Sequence, residues 1–407
     1  MDDMLARLTD AAHPAQLAFL AELVRTPSDN PPADCAAHAE RAAALLEGMG
    51  FTVERHPVPA ELAAAHGLRS IVNLIVRHRF GPGGPVVALN AHGDAVPPGE
   101  GWSQDPYGGA ILDGRMYGRG VAVSKGDFAT YAFALDALRR SGLPLRGQVE
   151  LHLTHDEESG GALGPAWLLQ QGLTRPDLAC CAGFSYAVTT AHNGCLHLEV
   201  VVQGRQAHAA MPQTGVDALA AATEVLRDLY AERARLAGTV SAMPGIGSPT
   251  VTVGMISGGV NTNVVPDRVT LRLDRRMIPE ENPAEVEAGL RALIGAAASR
   301  VAGARAECRR LMLAVPLRPS PAAEGFAEAL CRHAGAVFGV PVRTHGVPLY
   351  TDARHYAEAG IPVLLYGAGP RDILEANAHG ADENLATEDL RRATLVMARA
   401  LAELLAA

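Results

Sequence analysis

At 407 residues the chain is too long for one ordinary hydrophobic core, and two domains are expected. Its composition is globular, 48% hydrophobic and 19% charged, and a formal net charge of −9 excludes an ordinary nucleic-acid binder. No apolar run approaches the roughly 20 residues of a membrane span.

The opening MDDMLARLTD lacks the basic and apolar regions of a secretory signal. Six scattered cysteines read as reduced thiols, and Cys180–Cys181 is too tight a pair for a metal knuckle, so a cytoplasmic location is expected. Lys125 is the only lysine among 35 long basic residues, so its position is expected to reject arginine.

Residues 13–25 and 33–49 read as amphipathic helices, the second closed by Gly48 and Gly50. Strands are expected at 51–55, 71–76 and 86–91, the last two apolar enough to be central. The third runs into Asn90-Ala-His-Gly-Asp94, and the Asp113-Gly114 turn and the glycine-hinged Tyr117-Gly-Arg-Gly120 follow. After a helix at 125–140 comes strand 148–154, which ends in three acids, Asp156, Glu157 and Glu158, then Ser-Gly-Gly and a helix-like run at 162–171. Acids stacked where a strand gives way to a loop repel one another unless a cation or substrate compensates them. The carboxyl ends of such strands are where α/β sheets bind ligands.

Near residue 190 the pattern changes to strand 195–203, helix 215–237, strands 250–256 and 269–277, helix 283–299 and strand 304–313. This is the split βαβ order of a small ferredoxin-like sheet with two helices on one side. From about residue 315 the α/β pattern returns, with helices at 321–338, 352–359 and 387–406 and strands at 341–346 and 363–366. The fold expected is therefore α/β: a mainly parallel sheet with helices on both faces, spanning 1–190 and 314–407, interrupted by an inserted α+β unit at 191–313.

His92 with Asp94, Glu157 with Glu158, His208 and His379 fall at strand ends or on loops. A His-x-Asp suits a metal ligand and the acid that orients it, and imidazole with carboxylate suits zinc or manganese better than calcium. In order and spacing, these residues resemble the two-metal amidohydrolases that include aminoacylase, acetylornithine deacetylase, succinyl-diaminopimelate desuccinylase and the glutamate carboxypeptidases. The matching landmarks span nearly the whole chain: Asn90–Asp94, Gly118-Arg-Gly120 with Lys125-Gly126, Asp156-Glu-Glu158, Gly204–His208, Gly258–Asn263, Asp274-Arg-Arg276, Thr351-Asp-Ala-Arg354 and Ala378–Asn384.

The resemblance implies a zinc-exopeptidase-like hydrolase of a C–N bond in a small carboxylate-bearing substrate. His92, Glu158 and His379 would ligate metal, Asp94 would hold His92, and Glu157 would be the general base. His208 would stabilise the oxyanion across a homodimer formed by the inserted lid, and Asn263 and Arg276 would bind substrate. Plainer readings stand beside these: a surface histidine at 208, an ion pair of Arg276 with Asp274, and a solvated His379.

Two positions depart from the family pattern. Val123 stands where the family bridges its two metals with aspartate, and Phe184 stands where it carries another acidic ligand. Three arrangements remain open: one metal per chain rather than two, held by Glu158, His379 and a third group such as His92; a bridge supplied by Asp127 instead; or a non-catalytic relative that binds a ligand or partner. His155 is an additional ligand to weigh, although a strand-end histidine pointing away is the stronger expectation, and Trp102, Tyr107, Phe184, Tyr186 and Tyr350 suggest an aromatic or flat substrate.

Overall fold

The structure, a computed structural model, describes residues 2–371 and 374–407. The chain divides into two compact units, one of Met1–Thr190, Pro319–His345 and Thr351–Ala407, the other of Ala191–Arg318 with Gly346–Tyr350. The large sheet has the order Val53–Pro57, Val72–Gly81, Gly147–Thr154, Val86–His92, Leu178–Cys181, Val363–Leu365, Val188–His192, Thr344–Val347. Its middle four strands, Gly147–Thr154 through Val363–Leu365, run parallel, and the two before them are antiparallel. Successive side chains on a strand point to opposite faces. Leu178–Cys181 and Val363–Leu365 are buried at every position, so both faces of the sheet centre are covered. This is why these strands read as continuous apolar runs rather than alternating ones.

The first helix departs from expectation, running Asp2–Val24 instead of starting at residue 13. Pro14 lies inside it and has no backbone N–H to donate. Leu5, however, is fully buried and continuous with the apolar face of Phe19, Leu20 and Leu23, and the burial of that face outweighs one missing hydrogen bond. Strand Leu178–Cys181 was not anticipated either, being too short to show a period. A small third sheet joins Ala110–Leu112, Arg115–Tyr117 and Asn384–Ala386. Its hairpin turns on Asp113 and Gly114, both left-handed at φ 50° and 74°, as a two-residue turn of this twist demands. The pairing of Asn384 with Tyr117 brings the loop that carries His379 toward the loop that carries Val123.

The second unit is an antiparallel sheet ordered Thr250–Gly258, Arg268–Met277, Gly194–Gln203, Arg305–Ala314. Alternation sorts its strands cleanly. Leu196, Leu198, Val200 and Val202 pack with Ala221, Val225, Leu229, Leu290 and Ile294 of helices Ala218–Leu236 and Pro283–Ala298, while Cys195, His197 and Glu199 take the other face.

Asp127 ties the carboxyl edge of the parallel sheet together. It is buried in the first turn of helix Gly126–Ser141, and its Oδ1 accepts the Ala368 N–H at 2.6 Å. Burial pushes its carboxyl up to about 7, against the backbone N–H groups of Ala368 and Gly183 that favour the charged form. Those two amides lie just past strands Val363–Leu365 and Leu178–Cys181. A Cβ on Gly367 would lie 1.9 Å from Asp127 Oδ1, so that close approach needs glycine.

A folded-state value of about 7 against 3.8 in the open chain means that the folded protein holds the proton longer. This carboxyl's contribution to stability is therefore complete below about pH 4 and is lost as pH rises through 7. In Asp127→Asn the gap to wild type should close or reverse over that interval, by at most about 4 kcal/mol at ~1.4 kcal/mol per pH unit, and then level off. Urea unfolding of both proteins across the pH range measures this. Parallel curves would show that Asp127 does not titrate there.

Candidate active site

His92 is the last residue of its strand and is buried. Its backbone is clamped by Ser124, whose hydroxyl accepts the His92 N–H and donates to the His92 carbonyl, each at 3.0 Å. Nδ1 faces acceptors, the Asp94 carbonyl oxygen at 3.0 Å and Asp94 Oδ1 at 3.4 Å. Nδ1 therefore keeps its proton, and Nε2 is the nitrogen that would present a lone pair once the ring gives up its second proton on binding a cation. Burial pushes the imidazole down, but the Asp94 bond and the Glu157 carboxylate outweigh it and hold the ring well above its ordinary value.

Asp94, fully buried, is the hub of this edge. Its Oδ2 accepts Asn30 Nδ2 at 2.9 Å and the Glu158 N–H at 3.1 Å, and its Oδ1 accepts the Glu157 N–H at 3.3 Å. One carboxylate thus fixes both the histidine and the turn that carries the acid pair. Gly93 between them must be glycine, because a Cβ there would lie 2.6 Å from His38 and 2.9 Å from His155.

One ligand atom from each of His92, Glu157 and Glu158 lies within 4.8 Å of the others. His92 Nε2 is 3.9 Å from Glu157 Oε2, and His379 Nε2 is 3.1 Å from Glu158 Oε1. His379 reaches in from a left-handed backbone at φ 62°, and its bond to Glu158 raises its pKa. The other acids nearby are under strain. Burial holds Glu157 well above the carboxylate range against the pull of His92, and Asp352, Glu158 and Asp94 push the same way. Burial also holds Asp156 well above that range, helped by Asp352 and Asp94, and Asp352 itself is raised by burial. A set of imidazole and carboxylate donors embedded in uncompensated negative charge fits a divalent cation of the zinc or manganese class.

Asp352 was part of a recognised motif but had no assigned role. It packs where Gly161, at φ 68°, leaves room, since a Cβ there would sit 2.0 Å from Asp352 Oδ1. Glu383 was likewise missed. Fully buried, it accepts Arg119 Nη1 at 2.7 Å and the N–H groups of Gly120, Ala122 and Val123 at 3.0–3.2 Å, and so shapes the loop before Lys125. Both acids stand inside the landmark segments 351–354 and 378–384, which was the available signal.

Lys125 is buried with no hydrogen-bond partner for Nζ among the described residues. Burial lowers it to about 8 against the attraction of Glu383, Asp29 and Asp94. A guanidinium would bring five donors into a site that offers no acceptor to one ammonium, which accounts for lysine here and arginine elsewhere.

The remaining proposals sort as follows. Val123 is half-buried and offers no donor atom from its side chain, and Phe184 follows strand Leu178–Cys181 in a loop pinned by the Gly369–Gly183 hydrogen bond at 2.9 Å. Asp127 does not join the metal-capable set and holds backbone amides instead. His155 turns into the core, with Nε2 3.0 Å from His38 Nδ1, and burial lowers it to about 4. Several aromatic side chains have structural partners: Tyr107 donates to Asp29, Tyr186 donates to Asp389, and Trp102 lies beneath Arg119. In the second unit, His208 is exposed, its Nδ1 accepts the Ala210 N–H, and Ala209 bonds Asn263, so residues 208 and 263 share one pair of loops. Arg276 makes the plain ion pair with Asp274 at 2.9 Å.

Residues 88–403 match the model of Peptidase family M20/M25/M40. The succinyl-diaminopimelate desuccinylase of Gluconacetobacter diazotrophicus is 31% identical, covering 99% of this chain and 100% of that protein. The aminopeptidase PepT of Bacillus cereus superposes with TM-score 0.75 at 20% identity, over 96% of this chain and 98% of that one. A dinuclear metal binding peptidase from the M20 family of Bacillus subtilis does so with TM-score 0.71 at 18% identity, over 97% and 99%. With a family match over most of its length and a full-length relative, the chain belongs to Peptidase family M20/M25/M40 and is a hydrolytic enzyme.

Proposed function

We propose that the protein hydrolyses an amide bond in a small carboxylate-bearing substrate, with His92, Glu158 and His379 holding one divalent cation and Glu157 acting as general base. The observation that carries this is the convergence of His92, Glu157 and Glu158 within 4.8 Å, with His379 bonded to Glu158. When bound, the cation supplies the Lewis acidity that makes water nucleophilic near neutral pH.

The chain's own residues do the rest. Asp94 fixes the tautomer that points the His92 lone pair into the site. Glu157, whose surroundings raise its affinity for a proton, takes the proton from the attacking water and returns it to the leaving nitrogen. Arg276 engages Asp274 through Nε, which leaves its terminal nitrogens to bind a substrate carboxylate in the bidentate way arginine favours. Asn263 is its companion, and His208 is assigned to the oxyanion. The desuccinylase relative supports an N-acyl amino acid as the substrate class. One cation rather than two follows from Val123 and Phe184, which offer no ligand, and from Asp127, whose carboxylate is engaged by backbone. A homodimer is proposed through the second unit, where edge strand Thr250–Gly258 exposes Met255 (61%) and Ile256 (54%).

Glu157→Gln should retain metal and fold while turnover on N-acyl amino acids falls by about 10²–10⁴. Turnover that survives the change would remove Glu157 as the base.

Elemental analysis should find that Glu158→Gln and His379→Ala each lose one metal per chain relative to wild type. A loss of two would overturn the single-cation reading of this site, whereas Val123→Asp with Phe184→Glu should raise the count.

Light scattering at micromolar concentration should give a dimer. A fully active monomer would exclude the dimer and any role for His208 in a partner's site.

A further inference from the structure

Outside the catalytic set, among the described residues, one other group of donors converges, and it lies wholly within the second unit. Cys195 and His197 stand two residues apart on strand Gly194–Gln203 and so share a face. Asp274 sits directly opposite His197 on the neighbouring strand, and Arg276 sits opposite Cys195. Asp274 Oδ2 is 2.9 Å from His197 Nε2 and 3.6 Å from Cys195 Sγ, and all three ligand atoms lie within 4.8 Å of one another. We propose that Cys195, His197 and Asp274 form a second metal site, for one zinc-class divalent cation.

Chemistry and geometry both favour this. Tetrahedral zinc with bonds of about 2.0–2.3 Å to sulfur, nitrogen and oxygen sets its ligand atoms about 3–4 Å apart, close to the separations found. Thiolate with imidazole selects zinc and its neighbours over magnesium or calcium. A thiolate and a carboxylate carry two negative charges, so a divalent ion leaves the site neutral beside the Arg276 guanidinium. Arg276 Nε donates to Asp274 Oδ1 at 2.9 Å and less closely to Oδ2 at 3.3 Å, which orients the carboxylate so that Oδ2 also faces the histidine and the thiol, as an outer-shell donor should. The strand bearing Cys195 and His197 is paired on both sides, so two of the donors sit on a rigid platform. Cys195 is buried, while the side chains of His197 and Asp274 are 37% and 30% exposed, so an ion can enter and water can complete its shell. An ion pair with a thiol hydrogen bond to the same carboxylate oxygen is the plainer arrangement of these four side chains, and cobalt(II) binding separates it from a metal site.

The site does not depend on the catalytic reading, because His92, Glu157, Glu158 and His379 include no sulfur donor. Cobalt(II) distinguishes the two. Titrated into the full-length protein, it should give a sulfur-to-cobalt charge-transfer band with the visible bands of tetrahedral cobalt. That band should vanish in Cys195→Ser and persist in His379→Ala. His197→Ala, at a half-exposed position that tolerates truncation, should weaken cobalt binding by more than the ~10-fold that loss of an outer-shell partner causes. Zinc retained after dialysis should fall by about one ion per chain in Cys195→Ser. Absence of the band in wild type, or its full survival in Cys195→Ser or His197→Ala, would overturn the proposal.

Discussion

Crowding of negative charge at the carboxyl edge of the parallel sheet governs the rest of this structure. Asp94, Asp156, Glu157 and Asp352 act on one another there, each enclosed. Buried carboxylates at such separations cannot all stay ionised without positive charge. The chain supplies some in the raised imidazole of His92 and the buried ammonium of Lys125. The remainder is met by protons, as the raised carboxyls of Asp156, Glu157 and Asp352 show, or by the cation proposed above.

Such a cluster holds together only because each acid is also fastened by neutral donors. Asp94 is held by Asn30 and two backbone amides, Asp156 by the Leu163 N–H at 2.5 Å, and Glu383 by three amides and Arg119. Amide dipoles stabilise a carboxylate without adding a titrating group, and they fix its direction. The glycines at 93, 161 and 367 belong to the same scheme, since each keeps a Cβ away from a neighbouring histidine or carboxylate.

Much of this was legible in the sequence, for stated reasons. The parallel strands announced themselves by apolar runs that end in polar clusters, and the inserted sheet by clean alternation. His92, Glu157 and Glu158 were singled out because strand ends gather ligand-binding groups, and His379 because it falls in a polar loop; the structure places these four side chains near one another. What the sequence hid was long-range partnership. Nothing local marks Glu383 as the anchor of a loop more than 250 residues away, and nothing in Asp127 says whether its carboxylate faces a cation or two amides. His155 was a candidate ligand by position, but a histidine pointing away from the site was the stronger expectation, and it does turn into the core to meet His38. Helix Asp2–Val24 was expected to span only 13–25, whereas the buried Leu5 shows that its packed face continues toward the first residues.

At Val123 and Phe184 the loops are held by backbone rather than by side chain. The Val123 N–H donates to Glu383, and Gly183, beside Phe184, accepts from Gly369. Both loops therefore keep their course whatever side chain they carry. The backbone amides that shape the edge and the side chains that meet a cation are separable parts. Ligands can then be lost one at a time without unfolding the loops that held them. The ligands proposed above are His92 on its strand, Glu158 on a turn pinned by Asp94, and His379 on the loop tied to strand Arg115–Tyr117 through Asn384. Each of the three is anchored by contacts that neither Val123 nor Phe184 contributes through its side chain, so the proposed set does not depend on what those two positions carry.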